Sequence, residues 1–230
     1  GDVDAVRRAL RQRSSKRGWV PPESYFNMDA DGPDLAALRA VCDETEAALL
    51  VDEAHALGLF GPEGRGLCAA AGITPDVLVG TLGKAFGGAG AFVAGCEALV
   101  VWLWNRARSF VFSTGISPAL TATALAHLDR IRRDATRAAG VAERASQLRA
   151  GLRDLGLEPM GFGHVVPVVL GSEERALQVA RSLREQGFGV QAIRPPTVPP
   201  GTSRLRLTVT ARHEVAHVEA LLHALRRTLR

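Results

Sequence analysis

The chain has 230 residues, 47 % of them apolar, and a formal net charge of +4. That composition excludes a disordered chain and provides enough apolar surface for one or two cores. The arginines are scattered, without a basic stripe interleaved with aromatics, so nucleic acid is excluded as a partner.

A short amphipathic helix opens the chain, with Val3, Val6 and Leu10 on one face and Arg7, Arg8, Arg11 and Arg13 as a solvated face. Residues 33–47 have helical spacing through Leu35, Leu38, Val41 and Cys42, with Asp31 or Asp34 as N-cap. Residues 48–51 are a continuous apolar run ending in Asp52, as expected of a buried parallel strand. Residues 76–81 and 90–95 read as two more such strands. A helix follows over 97–105, a short strand over 110–112 and a helix over 118–133. The later pattern is a long helix over 135–155, a strand over 165–170, a helix over 173–186 and strands over 189–193 and 204–209. A closing helix spans 211–229. Residues 194–200, rich in proline, read as a rigid extended connector. Strands alternating with helices imply an α/β architecture. The expected division is a sheet-rich domain over 1–133 and a smaller C-terminal α/β domain over 134–230. Residues 89–104, the longest apolar stretch, are broken by Gly90, Gly95 and Glu97 and make a poor membrane span. No signal peptide is visible. Cys42, Cys68 and Cys96 have no metal spacing, and their odd number suggests a reducing, cytoplasmic setting.

Lys84 is one of two lysines against 26 arginines, and it sits among glycines in Thr81-Leu82-Gly83-Lys84-Ala85-Phe86-Gly87-Gly88. Lysine can lose its proton and act as a base or form a Schiff base, which guanidinium cannot. The alternative is an ordinary solvated loop lysine. Asp52 and His55 follow the first apolar strand, and Thr81 and Lys84 close the next. If those strands are parallel neighbours, a carboxylate, an imidazole, a hydroxyl and an amine emerge on one edge of the sheet, where open α/β sheets bind ligands. A structural salt bridge at Asp52 is the competing account. Arg204 and Arg206 alternate along a strand near Arg194 and Thr197. They form either a carboxylate clamp or a solvated face.

Two motifs are decoys. His213-Glu214-Val215-Ala216-His217 matches the zinc pattern His-Glu-x-x-His, but a third ligand is lacking, because His223 falls on another helical face. No metal is expected. Gly83-Lys84 is not a phosphate loop, because Leu78 and Ala85 occupy the positions that need Gly and Ser or Thr.

Several ordered blocks together resemble the α-oxoamine synthases, a branch of the fold-type-I pyridoxal-phosphate (PLP) enzymes. They are Phe26-Asn27-Met28-Asp29, Val51-Asp52-Glu53-Ala54-His55, Gly61-Pro62-Glu63-Gly64-Arg65-Gly66, Thr81-Leu82-Gly83-Lys84, Phe112-Ser113-Thr114 and Ile193-Arg194-Pro195-Pro196-Thr197-Val198-Pro199. The resemblance covers residues 23–210. It implies an aspartate aminotransferase-like fold, with an incomplete large domain of mostly parallel sheet and a smaller C-terminal α/β domain. It implies that Lys84 holds the cofactor as a Schiff base and serves as the base at the substrate Cα. Asp52 would pair with the pyridinium nitrogen, His55 with the ring 3-oxygen and Thr81 with the phosphate. Asn27 stands where the family usually has Ser against the cofactor. Arg206 would hold a substrate carboxylate, with Thr197 and Arg194 as further substrate contacts. Ser113 and Thr114 would reach the phosphate site of the partner in a homodimer.

The block starting at Arg194 looks most like the branch that joins L-alanine to a pimeloyl thioester, on coenzyme A or a carrier protein, to give 8-amino-7-oxononanoate in biotin synthesis. The glycine acetyltransferase, aminolevulinate synthase and serine palmitoyltransferase branches are the alternatives. Pro21-Pro22 stand where the family runs a regular strand, so that strand should be shortened or displaced. Family members carry a segment ahead of this stretch that completes the cofactor site. The chain is therefore expected to be the C-terminal part of an active synthase, or else an inactive relative.

Overall fold

A computed structural model describes residues 2–229. Contacts divide the chain into two compact units. The first runs to Tyr25 and resumes over Gly32–Ala135; the second takes Phe26–Asp31 and continues from Thr136. The segment Phe26–Asp31 thus departs from a simple division of the chain near residue 134. Its hydrogen bonds explain why: the Phe162 N–H donates to the Ala30 carbonyl at 2.7 Å.

In the first unit, α1 (Val3–Arg11) is capped by Asp2, which accepts from the Ala5 N–H at 2.9 Å. Then come β1 (Gly18–Val20), α2 (Leu35–Glu44) and β2 (Ala47–Asp52). Asp34, not Asp31, is the α2 cap, accepting from the Ala37 N–H at 2.9 Å. A 3-10 turn (Pro62–Gly64) leads into α3 (Gly66–Ala70), followed by β3 (Val77–Thr81), β4 (Ala91–Gly95), α4 (Glu97–Arg106), α5 (Arg108–Val111) and α6 (Pro118–Arg133). The sheet order is β1-β2-β3-β4, with the first two pairings parallel. Leu35, Leu38, Val41 and Cys42 of α2 pack with Leu49 and Val51 of β2 in one buried cluster. β1 stops at Val20, directly before Pro21-Pro22, which cannot donate to a ladder. The chain pairs with β2 again at the bridge between Glu23 and Asp52.

The second unit comprises α7 (Thr136–Asp154), β5 (Val165–Gly171), α8 (Glu173–Glu185), β6 (Gln191–Ile193), β7 (Ser203–Thr208) and α9 (Val215–Thr228). Its sheet has the order β5-β7-β6 and is antiparallel throughout. Val165, Val166, Val168, Leu205 and Leu207 form its buried centre with Leu183 and Leu152.

Four expectations are corrected. Residues 90–95 form an exposed strand antiparallel to β3, not a further buried parallel one. The connection 82–90 is a hairpin loop, too short for the crossover that parallel pairing requires. Residues 110–112 are not a strand; Phe110 and Val111 end helix α5 and Phe112 is its C-cap, with the Val111 N–H bonded to the Ala107 carbonyl and the Phe112 N–H to the Arg108 carbonyl. Residues 194–200 are a reversal rather than an extended connector, because β6 and β7 are antiparallel neighbours. The Pro195–Pro196 peptide is cis, and the Thr197 N–H closes onto the Arg194 carbonyl at 3.1 Å. Helix α9 begins at Val215, not at 211. His213 therefore precedes it and shares no helical face with His217.

Candidate active site

Because β2 and β3 are parallel neighbours with Asp52 opposite Val79, their carboxyl ends lie side by side. Asp52 ends β2, and its Oδ1 accepts from the Ala54 N–H at 2.7 Å. The turn that follows is closed by the Ala56 and Leu57 N–H groups on the Glu53 carbonyl. Thr81 ends β3; its Oγ1 donates to the Gly90 carbonyl at 3.1 Å and accepts from the Gly83 N–H at 3.2 Å. These bonds and the Leu82 N–H to Gly90 carbonyl bond hold the glycine-rich loop that carries Lys84. Lys84 Nζ lies 3.2 Å from His55 Nε2. An amine and an imidazole at this distance can pass a proton between them, and Lys84 is exposed.

The remaining residues expected in a site are distributed as follows. Arg206 Nε donates to the Asn27 carbonyl at 2.9 Å, so those two residues meet through the Asn27 backbone. Arg204 and Arg206, two residues apart on β7, differ in environment: Arg204 is buried against Met28 and Asp29, while Arg206 is half-buried. Neither lies on a solvated face. Thr197 is exposed in the β6–β7 reversal. Arg194 is exposed and already faces Glu173 Oε2 at 3.7 Å. Ser113 and Thr114 are exposed in the segment between α5 and α6.

Glu53 is a residue that spacing did not single out. It is fully buried. Its carboxylate accepts from Ser24 Oγ at 2.9 Å, the Leu67 N–H at 3.0 Å and the Cys68 N–H at 2.6 Å. It thereby ties the end of β2 to the start of α3. The signal for it lay in Gly66: a Cβ there would stand 2.6 Å from Glu53 Oε2, and its φ of +91° favours glycine.

A model of the family "aminotransferase class I and II" matches residues 1–225. The chain belongs to this family. Among the curated relatives, a putative 8-amino-7-oxononanoate synthase of Desulforudis audaxviator is 44 % identical over 99 % of this chain and 60 % of its own length. The 8-amino-7-oxononanoate synthase of Anaeromyxobacter dehalogenans is 44 % identical over 97 % of this chain and 57 % of its own. The chain thus spans less than two thirds of the length of these relatives. Among solved structures, the Sphingomonas wittichii serine palmitoyltransferase is 28 % identical with a TM-score of 0.93, covering 99 % of this chain and 58 % of that one. A structure of SPT with its PLP internal aldimine superposes equally well, at 28 % identity, a TM-score of 0.93 and the same two coverages. The fold is that of the PLP-dependent transferases. Among the described residues, no helix is long and apolar enough to cross a membrane, and no group of three or more metal-ligating side chains is assembled.

Proposed function

We propose that this chain is the lysine-bearing part of a PLP-dependent 8-amino-7-oxononanoate synthase, which joins L-alanine to a pimeloyl thioester with loss of CO2. The observation that carries the reading is the Lys84–His55 contact at the carboxyl ends of two adjacent parallel strands. It is supported by relatives of that name at 44 % identity over nearly the whole chain.

The residues fit the cofactor. Lys84 offers an amine beside an imidazole, able to join an aldehyde. Asp52 offers a strand-end carboxylate for a ring nitrogen, and Thr81 a hydroxyl for a phosphate. When bound, the cofactor supplies a sink for the electron pair left when the amino acid Cα loses a proton. Lys84 holds the cofactor and then takes and returns that proton, with His55 beside it. Asp52 keeps the ring nitrogen protonated. Asn27 contributes a weaker cofactor contact than the Ser usual there. Arg206 binds the amino-acid carboxylate, a guanidinium task, and Thr197 is a further substrate contact. Arg194 has a carboxylate of its own in Glu173 and is the poorest fit to such a role.

A homodimer in which Ser113 and Thr114 reach the partner's site is supported by the apolar exposure beside them, where Trp104 and Phe112 are 67 % and 78 % exposed. The three free cysteines are consistent with a cytoplasmic setting.

The serine palmitoyltransferase reading draws on the TM-score of 0.93. It is the lesser reading because backbone likeness reports fold, whereas substrate choice lies in side chains. The test is the visible absorption of the intact gene product. A Schiff-base band abolished by Lys84→Ala supports the reading, and no cofactor uptake sinks it. Turnover with alanine against glycine and serine, and with pimeloyl against acetyl, succinyl and palmitoyl thioesters, on coenzyme A and on carrier protein, assigns the branch.

A further inference from the structure

The segment Phe26–Asp31 is a closed loop, with the Phe26 N–H on the Asp31 carbonyl at 2.7 Å and the Ala30 N–H on the Phe26 carbonyl at 2.8 Å. Ala30 adopts φ 58°, a left-handed conformation that a non-glycine residue keeps only when its surroundings enforce it. The enforcing contacts come from residues far along the chain. Gly161 packs so tightly on this loop that a Cβ there would lie 2.0 Å from the Ala30 carbonyl oxygen. Arg204, only 4 % exposed, donates through one terminal nitrogen to the Met28 carbonyl at 3.1 Å and pairs with Asp29 Oδ1. Its Nε donates to the Thr202 carbonyl at 3.1 Å, which fixes the plane of its guanidinium. Two residues further along β7, Arg206 Nε donates to the Asn27 carbonyl of the same loop.

We propose that the Asp29–Arg204 pair is a positioning latch for Arg206, and through it for recognition of the amino-acid carboxylate; this rests on the substrate role given to Arg206 above. A guanidinium is a flat fork whose bidentate bond to a carboxylate depends on its orientation. Anchoring Nε on a backbone carbonyl sets the plane in which the rest of the fork lies. The Asn27 carbonyl can do this only where the loop stays on β7, and the fixed charge pair of Arg204 and Asp29 keeps it there. Asp29 and Arg204 are thus positioning residues, and Arg206 makes the contact.

Asp29→Ala in the intact enzyme tests this. Asp29 is 46 % exposed on its side chain, so the variant should fold. Loss of one immobilised, rotamer-rich side chain weakens binding by about three- to tenfold. The expected result is a KM for L-alanine raised by about that factor, with kcat and the cofactor absorbance unchanged. Asp29→Asn, which keeps an oxygen acceptor for Arg204, should recover most of the affinity. Without substrate, the Arg206 Nε–H signal in nitrogen-15 spectra should be protected from exchange in the parent and lose that protection in Asp29→Ala. Unchanged protection and unchanged alanine affinity overturn the latch. A proportional fall in melting temperature, kcat and cofactor uptake overturns it too, because that marks a merely structural pair. If Arg206→Ala leaves alanine affinity unaltered, the substrate role of Arg206 fails, and the exchange measurement still decides the latch by itself.

Discussion

Replacing Glu53 by Ala removes one acceptor from three donors in a fully buried place. Two opposing terms decide the outcome. Hydrogen bonds to a charged group contribute about 1.5–3 kcal/mol each, and a buried donor left unsatisfied costs about 1–3 kcal/mol. Against this, burying a charge carries a desolvation penalty of several kcal/mol, which the substitution relieves. The Ser24 hydroxyl can turn to another acceptor, but the Leu67 and Cys68 N–H groups are fixed at the start of α3. Two stranded backbone donors leave a net loss of about 2–5 kcal/mol, a large part of the 5–15 kcal/mol (roughly) that holds a domain together. At about 2–4 °C per kcal/mol for a chain of this size, the melting temperature should fall by roughly 4–20 °C. Glu63→Ala is the control: that side chain is exposed, pairs with Arg132 at only 3.6 Å, and should cost less than about 1 kcal/mol. Thermal unfolding followed by circular dichroism measures both. Equal melting temperatures for the two variants would refute the argument.

Three further outcomes are expected. Gly66→Ala should destabilise by an amount comparable to Glu53→Ala, and the two should be strongly non-additive in a double-mutant cycle, because the new Cβ meets the Glu53 carboxylate. Cys96 is exposed whereas Cys42 and Cys68 are buried, and burial pushes both buried thiols up, Cys68 further so through its hydrogen bond to Glu53. A thiol reagent followed by mass spectrometry should therefore label Cys96 alone in the native protein. Burial works to raise the Asp76 carboxyl, but Arg39 and the Leu49 N–H outweigh it and hold the group below its ordinary value. A lowered folded-state value means stability present above the unfolded carboxylate value of about 3.9 and lost as pH falls through the folded one. Because Asp76 is half-exposed, the effect should stay under about 1 kcal/mol, read as the difference in melting temperature between Asp76→Asn and parent from about pH 6 down to roughly pH 3.

The part of the site around Lys84 was legible because it follows from polarity. An acid after a buried apolar run must face a cleft or a partner, and two such runs in sequence place their ends together when parallel. The strand 90–95 was misread for the same reason: an apolar run says that a strand is present but not its direction, which here depends on the length of the preceding loop. Residues 110–112 were ambiguous because three apolar residues have no measurable period. The difference between Arg204 and Arg206 was invisible, since alternation puts both on one face of β7. Which one is buried depends on Asp29, 175 positions earlier. The backbone geometry of 194–200 was hidden by composition, because proline-rich sequence suits both an extended run and a tight reversal.

Asp52 and Glu53 are adjacent carboxylates with opposite surroundings. Strand alternation sends neighbouring side chains to opposite faces. Asp52 stays half-buried with one backbone donor, while Glu53 is sealed under α3 with three donors. A well-satisfied carboxylate is a brace, whereas a half-buried one with a single backbone donor, at a strand end adjacent to the one that leads into Lys84, is available to a ligand. The two substitutions should therefore separate stability from chemistry. Asp52→Asn keeps an oxygen for the Ala54 N–H and should shift stability by less than about 0.5 kcal/mol, while cofactor uptake by the intact protein falls by at least an order of magnitude, roughly the cost of one charge-assisted hydrogen bond. Glu53→Gln turns an amide N–H toward backbone donors and should lower the melting temperature clearly, with the Schiff-base absorbance of the surviving folded fraction retained. Titration of each variant with pyridoxal phosphate at a temperature where both are folded compares them directly. If Asn at position 52 destabilises as much as Gln at position 53, or if the Glu53 variant loses cofactor affinity as fully as the Asp52 variant, the assignment of one carboxylate to the fold and the other to the site is wrong.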